Sequence, residues 1–189
     1  MATLKSNAQV INMNYLGIDK TSISNGPGVR TTLWVSGCTC RCAGCQNPES
    51  WDFNAGMLFD DSAKQKLFDA LCKPYIRGIS ISGGHPLEHK NVEDVYLLIK
   101  EIKEKFPTKD IWLYTGYTWD QIFTPECMDM FNVNNMYRKE AVKMCDVVVD
   151  GPYIDEQRDI TLKFRGSKNQ RLIDVKETLK QNRVITIQN

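Results

Sequence analysis

The chain has 189 residues, 42% hydrophobic and 25% charged, with 24 basic against 23 acidic side chains and a net charge of +1. That length holds one domain with its own core and hardly two, and near-neutrality gives no bulk attraction to nucleic acid or an anionic membrane, so neither is expected as a partner. No stretch approaches the roughly 18 apolar residues of a membrane span, and the first residues lack an apolar signal segment, so a cytoplasmic protein is expected.

Residues 1–12 are polar and aperiodic and read as a flexible leader to a single domain over 13–189. Arg30 to Gly37 (RTTLWVSG) is β-branched and aromatic and ends at a glycine, as a strand does. Ser62 to Cys72 has apolar positions at Leu67, Ala70 and Leu71 behind an Asp/Ser start, which predicts a helix. Ile76 to Ser82 is a short buried strand running into Gly83-Gly84. From Asn91 to Phe106 the apolar residues Val92, Val95, Leu98, Ile99 and Ile102 fall three and four apart. This is an amphipathic helix with Asn91 as cap and Pro107 as stop.

Asp110 to Thr115 is the next strand, followed by helical pieces over 118–123 and 126–144. Val147 to Asp150 is a further buried strand ending at Gly151-Pro152. The tail holds a weaker strand over Arg171 to Ile173, a short helix from Asp174, and a last strand near Val184 to Ile187. Strands alternating with helices imply βαβ units and a mainly parallel sheet, hence an α/β fold. A complete eight-stranded barrel takes about 250 residues, so a partial, open βα barrel is expected. In such sheets function collects where the strands end, and the glycine-rich or polar segments fall there.

Seven cysteines, an odd number, argue against a secreted disulfide framework. Four of them crowd into Ser36-Gly-Cys-Thr-Cys-Arg-Cys-Ala-Gly-Cys-Gln-Asn47, where Cys38, Cys42 and Cys45 form C-x3-C-x2-C. A structural zinc site wants four ligands, normally two pairs, and Cys72, Cys127 and Cys145 are isolated. Three soft thiolates suit a cubane iron–sulfur cluster, ligating three irons and leaving the fourth for a small molecule. Spacing alone leaves a degenerate zinc knuckle or free thiols open as alternatives. Cys40 is either a substitute ligand or a bystander.

The cysteine loop after one strand and Ser80-Ile-Ser-Gly-Gly-His-Pro-Leu87 after the next resemble the radical S-adenosylmethionine enzymes. Asn25-Gly-Pro-Gly-Val-Arg30, C-x-G-C-x-N at the cysteines and Asn47 to Trp51 are similar to the glycyl-radical-enzyme activases. Asp110-Ile-Trp-Leu-Tyr-Thr-Gly-Tyr117, Val149-Asp-Gly-Pro-Tyr153 and Phe164-Arg-Gly-Ser-Lys-Asn-Gln-Arg171 narrow the resemblance to the branch that activates anaerobic ribonucleoside-triphosphate reductase. It runs from about Tyr15 to the C-terminus.

The resemblance implies a radical S-adenosylmethionine fold and a 4Fe–4S cluster on Cys38, Cys42 and Cys45. It implies reductive cleavage of S-adenosyl-L-methionine to a 5′-deoxyadenosyl radical, which makes a glycyl radical on the reductase large subunit. An electron donor such as a flavodoxin is a further implied partner. Cofactor contacts are expected from Gly44, Cys45, Gln46, Gly83, Gly84, His85 and Thr115. Where the family has an acid after Gly-Gly this chain has His85. A neutral imidazole accepts one hydrogen bond and a protonated one none, so weaker or pH-dependent cofactor binding is expected.

Two other readings stand beside this one: an activase of pyruvate formate-lyase or another glycyl-radical enzyme, and a non-enzymatic zinc or iron–sulfur module. Gly26-Pro27-Gly28 is expected to face a substrate or partner, and Tyr117 is either a contact or packing. Asp150 either hydrogen-bonds in the site or caps the Gly151-Pro152 turn. Arg165, Lys168 and Arg171 form a basic tail patch, solvated surface or partner dock. Trp34, Trp112 and Trp119 are read as core or near-core aromatics, and Trp51 as a shield for the cysteine loop.

Overall fold

The computed structural model describes residues 12–123 and 132–188. Residues 1–11 of the expected leader, the first part of the 126–144 helix and Cys127 lie outside the described residues. One seven-stranded sheet spans the structure in the order β3-β1-β2-β4-β5-β6-β7. Its strands are β1 (Asn14–Ser22), β2 (Arg30–Val35), β3 (Met57–Leu58), β4 (Gly78–Gly83), β5 (Asp110–Tyr114), β6 (Val147–Asp150) and β7 (Arg171–Asp174). The helices are α1 (Asp61–Leu71), α2 (Val92–Lys105), α3 (Trp119–Phe123), α4 (Val133–Met144) and α5 (Val175–Gln181). The four central strands run parallel, and β1, β3 and β7 complete the sheet in antiparallel pairings.

Alternation along the parallel strands sends side chains to two unlike faces. Leu33, Val35, Ile79, Ile81, Ile111, Leu113 and Val148 enter the main core, joined there by residues of α1, α2, α3, α4 and α5. Val92, Val95, Leu98, Ile99 and Ile102 of α2 are the stripe read from the sequence, and all five are buried. Each such side chain contributes about 1.5–3 kcal/mol by leaving water. Asp60 caps α1 through the Ala63 N–H, and Asp174 caps α5 through the Glu177 N–H.

The opposite face carries no helix among the described residues, only a small cluster of Trp112, Val147, Val149 and Leu172 with Phe164 against it. Its middle is polar. Arg30, fully buried, donates from Nε to Ser80 Oγ at 2.9 Å and from Nη2 to the Ile79 carbonyl at 2.8 Å. Its Nη1 pairs with Asp110 at 2.5 Å, and the guanidinium lies 5.3 Å from the Trp112 ring centre. One side chain at the start of β2 thus reaches β4 and β5.

Two sequence expectations need correction, and two strands lay outside the sequence reading. Asn91 precedes α2 but does not cap it with its side chain. Buried, it donates instead to the carbonyls of Ser36 and His85, tying the ends of β2 and β4 together. The expected strand over 184–187 is reduced to a single bridge between Thr186 and Ile173. β1 and β3 carry too little alternation to be read as strands: β1 is half exposed and irregular in register, and β3 has two residues.

Removing Asp110 strands the Arg30 charge. Asp110→Ala is expected to lower unfolding free energy by about 3 kcal/mol in a urea titration, the scale for breaking a buried pair from one side. Glu140→Ala, which breaks the exposed pair with Lys143, should cost less than about 0.5 kcal/mol.

Candidate metal and cofactor site

The parallel strands all end at one edge, and there the chain encloses a cavity of about 450 Å³. β2 leads through Gly37 into the cysteine loop, β4 into Gly84-His85, β5 into Thr115-Gly116 and β6 into Gly151. Each of these ends contributes to the wall. Cys38, Cys42, Cys45, Gln46, Gly83, Gly84, His85 and Thr115, all singled out from sequence, line this one space. Gly44 does not. Its φ is +68°, and a Cβ there would sit 2.5 Å from Asp155 Oδ1. The positive φ and the close approach of Asp155 both favour glycine at this position.

Gly84 is required by close backbone approach. A Cβ at this position would lie 2.7 Å from the Gly37 carbonyl and 2.9 Å from the Ser50 carbonyl. The Gly37 N–H donates to the Ser50 carbonyl and the His85 N–H to the Gly37 carbonyl, so the two turns are laced together. Their backbones form a surface without side chains beside the thiols.

The thiols of Cys38, Cys42 and Cys45 are free and differ in electrostatic setting. A hydrogen bond from the Cys40 thiol, helped by backbone N–H groups, holds Cys38 down to about 6 against the opposing effect of burial. Burial pushes Cys42 up. Cys45 Sγ accepts from the Asn47 N–H at 3.4 Å, the kind of bond that supports cluster thiolates. A soft donor set, N–H groups aimed at sulfur and a cradle that a Cβ would fill match the needs of an iron–sulfur cluster with a small ligand beside it.

His85 is buried and held on both ring nitrogens. Nε2 lies 2.7 Å from Thr115 Oγ1 and accepts from the Gly116 N–H, while Nδ1 faces Glu88 Oε1 at 3.4 Å and Cys40 Sγ at 3.8 Å. Its ring packs 4.5 Å from that of Tyr117, which lies beneath Arg138. Tyr117 is therefore part of the packing behind His85. Glu88, missed in the sequence reading, is the junction of this region. It accepts from the Thr39 N–H and hydroxyl, from His85 and from the His89 N–H. Burial opposes its ionisation, but the bonds from His85 and Thr39 hold its carboxyl well below the usual range.

Other lining residues carried no isolated sequence signal: Asn25 and Trp34 on one side, Tyr114 on the floor, Phe164 and Arg165 on the other. Ser24 and Asn25 face the cavity, so the segment leading into Gly26-Pro27-Gly28 reaches the site. The Tyr114 hydroxyl is buried and has no hydrogen-bond partner among the described residues. Trp112 and Trp119 are buried as expected, whereas Trp34 is a cavity wall. Trp51 lies 5.6 Å from the Arg41 guanidinium against the outside of the cysteine loop.

The tail patch is not one unit. Arg171 is bound to Asp150, Arg165 donates to the Gln170 carbonyl, and Lys168 pairs with Asp159. Asp150 also accepts from the Trp119 N–H at 2.7 Å, so it anchors α3 and β7 rather than the Gly151-Pro152 turn.

Comparison with known proteins agrees with this geometry. The family model described as "4Fe-4S single cluster domain" matches residues 24–173. The chain is 41% identical over 160 residues, 84% of itself and 96% of the relative, to the anaerobic ribonucleoside-triphosphate reductase-activating protein of Haemophilus influenzae. It is 38% identical to the protein of the same name from Escherichia coli K12, over 84% of this chain and 96% of that one. The protein of that name from Enterobacteria phage T4 is 38% identical over 85% of this chain and 93% of its own. Agreement at this level along nearly the whole of each relative shows common descent, and the chain belongs to the family of anaerobic ribonucleoside-triphosphate reductase-activating proteins.

Proposed function

We propose that the chain activates anaerobic ribonucleoside-triphosphate reductase by generating a glycyl radical on its large subunit. The observation that carries the reading is the gathering of Cys38, Cys42, Cys45, Gly83 and Gly84 around one cavity in a chain of this family. When bound, a 4Fe–4S cluster and S-adenosyl-L-methionine supply the one-electron chemistry for a glycyl radical.

Within that reading Cys38, Cys42 and Cys45 hold the cluster. Gly83 and Gly84 present bare backbone to the methionine part of the cofactor, with Gln46 and Thr115 beside them. His85 acts from behind this surface. Its nitrogens are taken up within the protein, so it orients Thr115 and the Gly116 backbone. Glu88 and Thr39 hold the first turn of the cysteine loop, fixing the position of Cys38 relative to the glycine turn. An electron donor such as a flavodoxin would supply the electron to a bound cluster.

The helix-free face and the open sheet edge support a partial βα barrel of radical S-adenosylmethionine type. The sheet running from Asn14 to Asp174 supports one domain from residue 13 onward. No helix among the described residues is long and apolar enough to cross a membrane. A cytoplasmic setting, which keeps the thiols reduced, belongs to the same proposal, without nucleic acid or membrane as partner.

The direct test is anaerobic. Reconstituted protein, reductant and S-adenosylmethionine are mixed with the large reductase subunit and examined by electron spin resonance. A glycyl radical on the reductase is expected, falling to background with Cys42→Ala. Methionine release without that radical would refute the assigned partner while leaving the cleavage chemistry standing.

Glu88 gives a second test. Its carboxyl titrates lower in the folded chain than its ordinary 4.5, so its contribution is present above that value and is lost as pH falls towards the folded pKa. Glu88→Gln should cost about 2 kcal/mol at pH 7, the scale of hydrogen bonds to a buried charge. The gap to wild type in urea titrations should narrow as pH drops below 4.5. A gap constant from pH 7 to 3 would show that the charge plays no part.

A further inference from the structure

Among the described residues, one set of three metal-donor atoms lies mutually within 4.8 Å, and it is not the C-x3-C-x2-C set. It comprises the thiols of Cys38 and Cys40 and a ring nitrogen of His85. We infer that Cys38, Cys40 and His85 form a second, mononuclear site for a borderline-soft divalent cation of the zinc type. The site shares Cys38 with the cluster ligands, so the cluster-bearing and zinc-bearing forms of the chain exclude each other.

The spacing suits a tetrahedral ion. Zinc holds sulfur at about 2.3 Å and imidazole nitrogen at about 2.0–2.1 Å, which puts neighbouring donors about 3.5–3.8 Å apart. Cys40 Sγ is 3.8 Å from His85 Nδ1, and the Cys38 thiol lies within 4.8 Å of both. Two sulfurs and one nitrogen are the donor types that zinc shares with few hard cations.

The surroundings make room for this arrangement. Cys40 lies on the surface, but its thiol turns inward onto Gly116, where a Cβ would be only 2.8 Å from Sγ. Any larger residue at 116 would push the thiol away from Cys38 and His85. An ion on Nδ1 requires the ring proton on Nε2, where it is donated to Thr115 Oγ1 at 2.7 Å; binding therefore gives up the Gly116 N–H bond to Nε2 and exchanges the Nδ1–Glu88 contact for the ion. Glu88 Oε1, 3.4 Å from Nδ1, adds a negative charge beside the site. Binding takes both sulfurs as thiolates, and any thiol proton still present goes to solvent. It leaves two thiolates, a neutral imidazole and a fourth position open to the cavity.

This assigns Cys40 and His85 a shared role that the cluster reading gives neither. The competition, but not the site itself, rests on the proposed cluster ligands. The test uses the full chain, iron-free and reduced, titrated anaerobically with cobalt(II) as an optical substitute for zinc. One equivalent is expected to give thiolate charge-transfer and tetrahedral ligand-field bands. Cys40→Ser and His85→Ala should each weaken binding by about tenfold or more, the range for losing a ligand or its support, whereas Cys42→Ser and Cys45→Ser should leave it within about twofold. Loss of the bands in Cys42→Ser to the extent seen in Cys40→Ser, or no thiolate bands at all, would overturn the site.

Cluster reconstitution distinguishes the two readings and checks folding. Cys40→Ser should still take up iron and sulfide, and Cys42→Ser should not. One equivalent of zinc added first should suppress cluster formation in wild type but not in Cys40→Ser. Equal suppression in both would overturn the exclusion. Failure of wild type to form a cluster even without zinc would count against the cluster reading and leave the cobalt result untouched.

Discussion

A guanidinium buried on the helix-free face of the sheet organises this molecule. Arg30 starts β2, hydrogen-bonds to Ser80 and the Ile79 carbonyl on β4, and pairs with Asp110 at the head of β5. A βα sheet with helices on one side leaves its other side to be satisfied by something else. Here a charged group crosses three parallel strands and makes bonds on each side, because an unpaired polar group in that position would be costly. With the strand starts held together, the strand ends stand in fixed relation. The cavity is built on those ends.

The site follows from that alignment. Val35, Gly83 and Tyr114 finish neighbouring strands, and each hands the chain to a segment that lines the cavity. Gly84 allows the β4 turn to lie against Gly37, and Asn91 donates to both turns from the head of α2. Glu88 then fastens the cysteine loop through Thr39 and the imidazole through His85. The thiols are therefore presented by a loop anchored at its start and at the glycine turn. Such fixed positioning is the contribution the protein itself can make to one-electron chemistry at a bound cofactor.

His85 shows how a departure from a family pattern can alter the role of a position. The expectation was a side chain in direct contact with the cofactor, accepting one hydrogen bond or none. In the folded chain the imidazole is spoken for by Thr115, Gly116, Glu88 and the Cys40 thiol. In the proposed reading its influence passes through the residues it orients. The same contacts place it beside a cysteine that the C-x3-C-x2-C pattern does not use.

Much of this was legible in the order of residues. The period of three and four in α2, the β-branched runs of β2 and β6 and the alternation of elements determined an α/β sheet, since these patterns follow from local geometry and burial. The spacing of Cys38, Cys42 and Cys45 marked a candidate metal-binding loop, with free thiols left open, and the motifs around it pointed to the family. Tertiary structure decided what depends on approach between distant segments. β1 emerged as a strand only through pairing with β2, and Asn91 became a brace because two carbonyls lay within reach. Gly44 fell outside the cavity lining, and Glu88 became the junction of loop and turn. Cys40 came to lie against Gly116 and His85, far along the chain, and no spacing rule encodes that meeting. Sequence carries the periodicities of single elements and the spacing of neighbours, while contacts across the ends of separate strands exist only once the sheet has set their register.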